Sequence, residues 1–185
     1  SENALNNIAI NNVMDYRWQH AYPVPKSLQT QRVLDFGPGY GRAFNLYSQL
    51  QSPLQYIAVD SIPFCYGLQT EYFKSNTQHY QDYIRNPNID FDTQEENQVI
   101  HLPTWRLDLI PDNHLDLIIC AEVLPELDEE LILYLAHHFH RILKERGAIF
   151  IRDCGVRKQR NKIAIQRVLE HSGFIVEWAP QYTLF

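Results

Sequence analysis

A chain of 185 residues, 45% hydrophobic and 21% charged, is long enough to bury one core and too short for two comfortable domains. The composition excludes wholesale disorder and fibrous repeats, and no apolar run reaches the ~18 residues that a membrane span needs. A formal net charge of −6 weighs against a nucleic-acid partner, because phosphate binding draws on Lys and Arg.

Residues 1–30, with Trp18, Tyr22, Pro23 and Pro25, read as an N-terminal cap or lid segment. They show no basic stretch followed by an apolar one, so no secretory leader is expected. From Gln31 onward short apolar runs alternate with helical stretches, giving a single domain over 31–185. Arg32–Phe36 is a strand, and Ala43–Leu50 is a helix with Phe44, Tyr47 and Leu50 on one face. Gln55–Val59 is a second strand ending at Asp60. Phe64, Leu68 and Tyr72 then recur at the spacing of one helix face. Residues 75–97 are polar and aperiodic, a loop or insertion with room for one short helix. A third strand lies within Gln98–Leu107 and a fourth at Leu115–Cys120.

The following helix, Asp128–Leu143, has Asp128 as N-cap, Glu129 and Glu130 in its first turn, and a buried stripe of Leu131, Leu135, Phe139 and Ile142. Ala148–Arg152 is a fifth strand, Lys158–His171 a helix stopped by Gly173, and Phe174–Trp178 with Tyr182–Phe185 a closing hairpin. Strands alternating with helices predict an α/β fold: a doubly wound, seven-stranded sheet, mostly parallel with an antiparallel C-terminal strand, and helices on both faces. The cysteines Cys65, Cys120 and Cys154 are odd in number and far apart, so no disulfide framework is read and a cytoplasmic, reducing home is expected.

Glycine is scarce, with 7 residues, yet Gly37, Gly39 and Gly41 fall within five positions at the end of the first strand. In doubly wound sheets ligands bind at that edge, and glycines let the backbone turn tightly and approach them. A dinucleotide fingerprint would need a small residue where Arg42 stands, so that register fails. Asp35, just before the turn, suits a cationic ligand group and would repel a pyrophosphate.

The segment Asp35-Phe36-Gly37-Pro38-Gly39-Tyr40-Gly41 resembles motif I of the class I S-adenosylmethionine-dependent methyltransferases, an acid followed by G-x-G-x-G, on a Rossmann-like fold. The resemblance implies that this loop holds the methionyl part of S-adenosylmethionine, with Asp35 near its ammonium group. It implies that Asp60, followed by Ser61, receives the ribose hydroxyls. Asp108 would meet the adenine amino group, with Leu107 or Leu109 packing on the ring. His114–Cys120 looks like the family's fourth-strand motif, which places Cys120 at the cofactor edge and leaves Asp116 a structural residue. Gly173-Phe174 is similar to the entry to the family's sixth strand. A narrower similarity, to sugar O-methyltransferases, rests on Ile62-Pro63, Leu68-Gln69-x-x-Tyr72-Phe73 and Glu122–Leu127.

Methyl transfer to a hydroxyl needs near-attack positioning and a general base; a carboxylate or thiol acceptor would not need the base. The loops after strands four and five offer Glu122, Glu126 and Asp153 as catalytic candidates, beside Cys154. Glu122 could instead touch the cofactor, Glu126 could be a solvated residue before a helix, and Asp153 a strand-end turn residue. Tyr16, His20 and Tyr22 are candidate lid contacts. His137 and His140 are three apart on a helix, but lie opposite its apolar stripe, and no metal is expected. The basic run Arg152, Arg157, Lys158, Arg160, Lys162 and Arg167 could border a pocket for an anionic substrate or form a solvated helix face.

The reading is an enzyme transferring a methyl group to a small-molecule acceptor, a hydroxyl of a sugar or natural product. A nucleic-acid methyltransferase and a non-catalytic cofactor- or partner-binding domain of the same fold are the alternatives. Against the nucleic-acid reading, Ala121-Glu122-Val123-Leu124 stands where an Asn/Asp-Pro-Pro-Tyr/Phe signature would be. No membrane partner is expected, and the sequence assigns no oligomeric state.

Overall fold

A computed structural model describes residues 31–50, 54–93, 95–152 and 159–177. Its elements are β1 (Arg32–Phe36), α1 (Arg42–Leu50), β2 (Gln55–Asp60), α2 (Pro63–Asn76), β3 (Tyr80–Asp82), β4 (Gln98–Pro103), β5 (Leu115–Ala121), α3 (Glu129–Ile142), β6 (Leu143–Arg152) and α4 (Gln159–His171). Two short 3-10 turns, Thr104–Leu109 and Leu124–Glu126, follow β4 and β5. The strands form one sheet in the order β3-β4-β2-β1-β5-β6, and every pairing is parallel. The chain leaves β1 toward β2 on one side and returns to β5 on the other. The crevice beyond the carboxyl ends of β1 and β5 is therefore the switch point where such sheets bind ligands.

Side chains alternate across the sheet and divide the core in two. Leu34, Phe36, Ile57, Val59, Ile100, Leu102 and Ile118 pack with Leu135, Phe139 and Ile142 of α3. Val33, Tyr56, Ala58 and Val99 pack on the opposite face with Phe44 and Tyr47 of α1 and Phe73 of α2. The strands read as continuous apolar runs because both faces are covered.

Polar groups lock the opposite, amino-terminal edge. Asp116 Oδ2 accepts from the backbone N–H groups of Gln31 and Arg32, each at 2.9 Å, while Lys144 Nζ reaches Oδ1 at 2.5 Å. That is the structural role expected of this residue. Gln55 Oε1 lies 2.6 Å from His114 Nε2, and Gln55 Nε2 donates to the carbonyls of Phe91 and Thr93, tying the 83–97 loop beneath the sheet.

The structure corrects the sequence reading in strand content, in helix faces and in strand length. The 75–97 segment contributes a strand: β3 pairs with Val99–His101, and its ladder continues through Tyr83 N–H to His101 O at 3.0 Å. The sheet has six parallel strands among the described residues, not seven with an antiparallel one. Phe174–Glu177, expected in the closing hairpin, form no strand. Gly173 has φ +95°, and its N–H and that of Phe174 bond back to Glu170 O and Leu169 O at 3.1 Å, closing α4 with a Schellman-type cap. This cap tucks Phe174 against the core and leaves Ile175 81% exposed. Trp178 and Tyr182–Phe185 lie outside the described residues.

The remaining corrections concern helix faces and strand length. In α2 the buried residues are Gln69, Thr70 and Phe73, whereas Phe64 and Leu68 of the expected apolar face are exposed. In α3 the Asp128 side chain caps the helix as expected, accepting from Leu131 N–H at 2.8 Å, but the buried stripe is Ile132, Leu135, Ala136, Phe139 and Ile142, with Leu131 turned outward. The fifth expected strand, now β6, starts earlier at Leu143 and shifts register between the pairs Leu115–Leu143 and Leu117–Ala148. No helix among the described residues is long and apolar enough to cross a membrane.

Candidate functional site

The loop between β1 and α1 is built around positive φ angles at Gly37 (+71°), Gly39 (+61°) and Gly41 (+91°). Each turns the chain where an L side chain would be strained. Gly37 N–H donates to Val59 O at 2.9 Å, which extends the β1–β2 ladder into the loop, and Gly41 N–H closes back on Pro38 O at 2.9 Å. The three positions differ in what surrounds them. A Cβ at Gly37 would lie 2.5 Å from Val123 Cγ2, and one at Gly41 would lie 2.9 Å from the rings of Phe73 and Tyr72. A Cβ built on Gly39 would meet nothing within 4 Å beyond its chain neighbours. The outer glycines thus let the loop after β5 and helix α2 close against the turn. The middle one presents bare backbone to open space.

Asp60 ends β2 beside this loop and is buried. Its Oδ1 accepts from Ile62 N–H at 2.9 Å and its Oδ2 from Gln69 Nε2 at 2.6 Å. Gln69 Nε2 also donates to Gly39 O at 2.5 Å, so one amide joins the glycine loop to the carboxylate. Gln69 Oε1 accepts from His101 Nε2 at 2.8 Å, which leaves His101 Nδ1 to accept from the Tyr80 hydroxyl at 2.8 Å. The Tyr66 ring stacks on His101 at 3.6 Å, and its hydroxyl donates to Asp82 Oδ1 at 2.9 Å. Burial pushes the His101 imidazole down to about 4, against the opposing pull of Asp82, so it is neutral at physiological pH. Burial likewise raises the Tyr66 and Tyr80 phenols well above their usual range.

Asp35 is buried on the α1/α2 face of β1, where the Tyr56 hydroxyl donates to it. Burial first, and then the Asp35 carboxylate, push the Tyr56 phenol upward, so it stays a donor. Glu122 follows β5 with φ +61°, a conformation uncommon outside glycine, and its N–H donates to Arg152 O at 2.8 Å. Val123, the next residue, lies against Gly37, and the Glu122 side chain is exposed. Glu126 is exposed on the 3-10 turn that follows, and Ser61 is exposed next to Asp60.

The remaining expected site residues are more dispersed. Asp108 is exposed on the turn after β4 and is held by Arg106, Nε to Oδ1 at 3.0 Å, which lowers its carboxyl below the usual range. The Arg106 guanidinium in turn lies 4.6 Å from the centre of the Tyr83 ring. Leu109 is half-buried against the core, and Cys120 is fully buried within it. Asp153, Cys154, Tyr16, His20 and Tyr22 lie outside the described residues, as do Arg157 and Lys158 of the basic run.

His137 Nδ1 lies 2.8 Å from Leu133 O on its own helix, and the His140 ring meets Phe174 edge-on at 5.7 Å. No three metal-ligating side chains come together among the described residues. Among the large exposed side chains, Tyr40, Ile62, Phe64 and Trp105 follow closely in sequence on the carboxyl ends of β1, β2 and β4.

Sequence reasoning missed Gln69, His101 and Tyr56. Gln69 stood inside the quoted Leu68-Gln69-x-x-Tyr72-Phe73 stretch, but apolar periodicity assigned burial to its neighbours. A tyrosine and a histidine within strands carry no periodic signal for the partner that their polar atoms require.

The family model described as a methyltransferase domain matches residues 13–177. No curated protein sequence matches the chain. Among solved structures, it is similar to an S-adenosylmethionine-dependent methyltransferase from Archaeoglobus fulgidus, with 18% identity and a TM-score of 0.56, over 88% of this chain and 68% of that one. It is also similar to an S-adenosylmethionine-dependent methyltransferase from Leishmania major, with 17% identity and a TM-score of 0.58, over 92% of this chain and 63% of that one. A third, a mitomycin 7-O-methyltransferase, shares 14% identity and a TM-score of 0.55, over 80% of this chain and 44% of that one. The chain thus spans 44% to 68% of these proteins' lengths. At such identities the likeness carries the fold, and the family model carries membership: the chain belongs to the methyltransferase-domain family.

Proposed function

We propose that the chain is an S-adenosylmethionine-dependent methyltransferase acting on a small molecule, with a hydroxyl of a sugar or natural product as acceptor. One observation carries this reading: the open backbone face at Gly39 lies beside the buried carboxylate of Asp60, the two joined through Gln69. Open space before a glycine suits the close approach of an elongated ligand. A buried carboxylate with lone pairs left after two protein donors suits the diol of a ribose. The residues that fit the cofactor are Gly37, Gly39 and Gly41 around its methionyl part, Asp60 and Ser61 at its ribose, and Asp108 and Leu109 toward its adenine. Asp35 sits behind the loop, where its carboxylate favours an ammonium group over a phosphate. Cys120 contributes through the strand end that it occupies.

When bound, the cofactor supplies a methyl group on a sulfonium, open to in-line displacement. The chain's own task is to hold the acceptor in near-attack geometry, to exclude water and to receive the acceptor's proton. Glu122 is the first candidate for that proton, because it is exposed and directly follows β5, whose carboxyl end borders the crevice. Glu126 and Asp153 are the alternatives. The exposed apolar side chains of Tyr40, Ile62, Phe64 and Trp105 after the ends of β1, β2 and β4 favour a small molecule with an apolar face over a phosphate backbone. Residues 1–30, expected as a cap or lid segment, lie outside the described residues.

Calorimetry with S-adenosylhomocysteine tests the cofactor assignment. Wild type is expected to bind and Asp60→Ala to lose measurable binding. No binding by wild type, or unchanged binding by the variant, overturns the assignment. Once an acceptor is found, full turnover by Glu122→Gln, Glu126→Gln and Asp153→Asn alike would remove all three base candidates.

A further inference from the structure

We propose that Gln69 is a positioning residue of the cofactor site, holding the Asp60 carboxylate and the Gly39 carbonyl in one fixed arrangement so that Asp60 reads the ribose diol. The inference rests on the cofactor assignment above.

The burial of Gln69 is what first requires explanation. It lies on the face of α2 where an apolar residue would pack, and it is fully buried while Phe64 and Leu68 of the same helix are exposed. A buried primary amide is costly unless each polar atom is partnered. Both N–H groups are taken, by Gly39 O at 2.5 Å and Asp60 Oδ2 at 2.6 Å, and Oε1 accepts from His101 at 2.8 Å. Those partners come from three different places: the loop after β1, the end of β2 and the body of β4. Gly39 and Asp60 both lie at the carboxyl edge of the sheet, and this amide bonds to both.

The amide cannot turn over. Rotating it by 180° would aim its oxygen at a carboxylate and a carbonyl, and its N–H groups at the donor of His101. Gly39 O and Asp60 Oδ2 can only accept, so the N–H groups must face them, and Oε1 is left to receive the proton of His101 Nε2, with the Tyr66 ring stacked on the imidazole. Its low proton affinity keeps it in the single-donor form over the working range. Oδ2 of Asp60 is thereby pinned from one side and Oδ1 from the other by Ile62 N–H. The carboxylate keeps one orientation, with its remaining lone pairs for two hydroxyls. Fixing a binding group before the ligand arrives removes the cost of ordering it on binding.

A role through Asp60 makes a prediction that simple structural support does not. Two ligands are compared by calorimetry: S-adenosylhomocysteine, and the same molecule lacking both ribose hydroxyls. Wild type is expected to prefer the diol by about 100-fold, the order expected for two hydrogen bonds to a charged group. Gln69→Leu is expected to cut that preference by about tenfold or more while changing affinity for the dideoxy ligand less than about threefold. Gln69→Met keeps a side chain of similar length and removes the amide without placing a second carboxyl beside Asp60. It is expected to reduce the preference at least as far, and it covers the case in which the leucine variant does not fold.

Equal loss of affinity for both ligands in the variants, or an unchanged preference, overturns the inference while leaving the cofactor assignment standing. Absence of binding by wild type overturns that assignment, and this inference with it. A diol preference that survives Asp60→Ala refutes the ribose role of Asp60, and likewise this inference.

Discussion

Replacing Gly39 and Gly41 separately by alanine distinguishes a glycine kept for a ligand from a glycine kept for packing. Both have positive φ, so each substitution carries the strain of an L residue in the left-handed region, about 1–2 kcal/mol. Roughly 0.4–1 kcal/mol of that is offset by the lower freedom of the unfolded chain. At Gly39 nothing beyond the chain neighbours lies within 4 Å of the new methyl, so no packing cost is added and the net loss is about 1 kcal/mol. At Gly41 the methyl would sit 2.9 Å from the Phe73 and Tyr72 rings, which adds an overpacking cost of about 1–3 kcal/mol.

With a shift of about 2–4 °C per kcal/mol for a chain of this size, Gly39→Ala is expected to lower the thermal midpoint by a few degrees. Gly41→Ala should lower it by about twice that or more. The order reverses for the ligand. The Gly39→Ala methyl fills the open face of the loop, so affinity for S-adenosylhomocysteine should fall at least about tenfold. Thermal unfolding and calorimetry on the same preparations make the comparison. Wild-type affinity in Gly39→Ala, or a Gly41→Ala midpoint at or above that of Gly39→Ala, would refute the argument.

Three further outcomes are expected. The buried imidazoles of His101 and His114 are each held down to about 4, mainly by burial, below the value of about 6.5 for an unfolded histidine. As pH falls from about 6.5 to 4 the unfolded state gains protons that the folded state refuses, so stability should drop, by about 1.4 kcal/mol per pH unit for each proton taken up. Urea titrations from pH 7.5 to 4.5 measure the slope, and a flat profile contradicts the burial argument. Asp116→Ala strips the carboxylate from two backbone N–H groups at the start of β1 and is expected to cost about 2 kcal/mol in urea unfolding without altering affinity for S-adenosylhomocysteine. Asp128→Ala removes the bond to Leu131 N–H at the start of α3 and should cost about 1 kcal/mol, while Asp128→Asn, which retains a capping oxygen, should cost much less.

Local rules carried much of the fold from sequence alone. The apolar runs at Arg32–Phe36, Gln55–Val59 and Leu115–Cys120 and the N-cap Asp128 are statements about neighbours along the chain, and they appear in the structure nearly as read. Positive φ at each glycine of the motif was likewise implicit in a glycine-poor chain that clusters glycine in one turn. Family membership agrees with the resemblance carried by that motif.

Tertiary contacts decided the rest. The pairing of Tyr80–Asp82 with β4 depends on residues nineteen positions away, so a polar, aperiodic segment could not announce a strand. The exposure of Phe64 and Leu68 and the burial of Gln69 invert the rule that apolar residues face the core. That inversion holds because the place α2 covers is lined by a carboxylate, a carbonyl and an imidazole, whose hydrogen bonds only an amide could meet together. Sequence alone thus determined the central strands β1, β2 and β5 and the glycine turn, because those are local preferences of backbone and side chain. Which polar groups meet behind the glycine loop was decided only when strand ends far apart in sequence were brought within hydrogen-bonding distance.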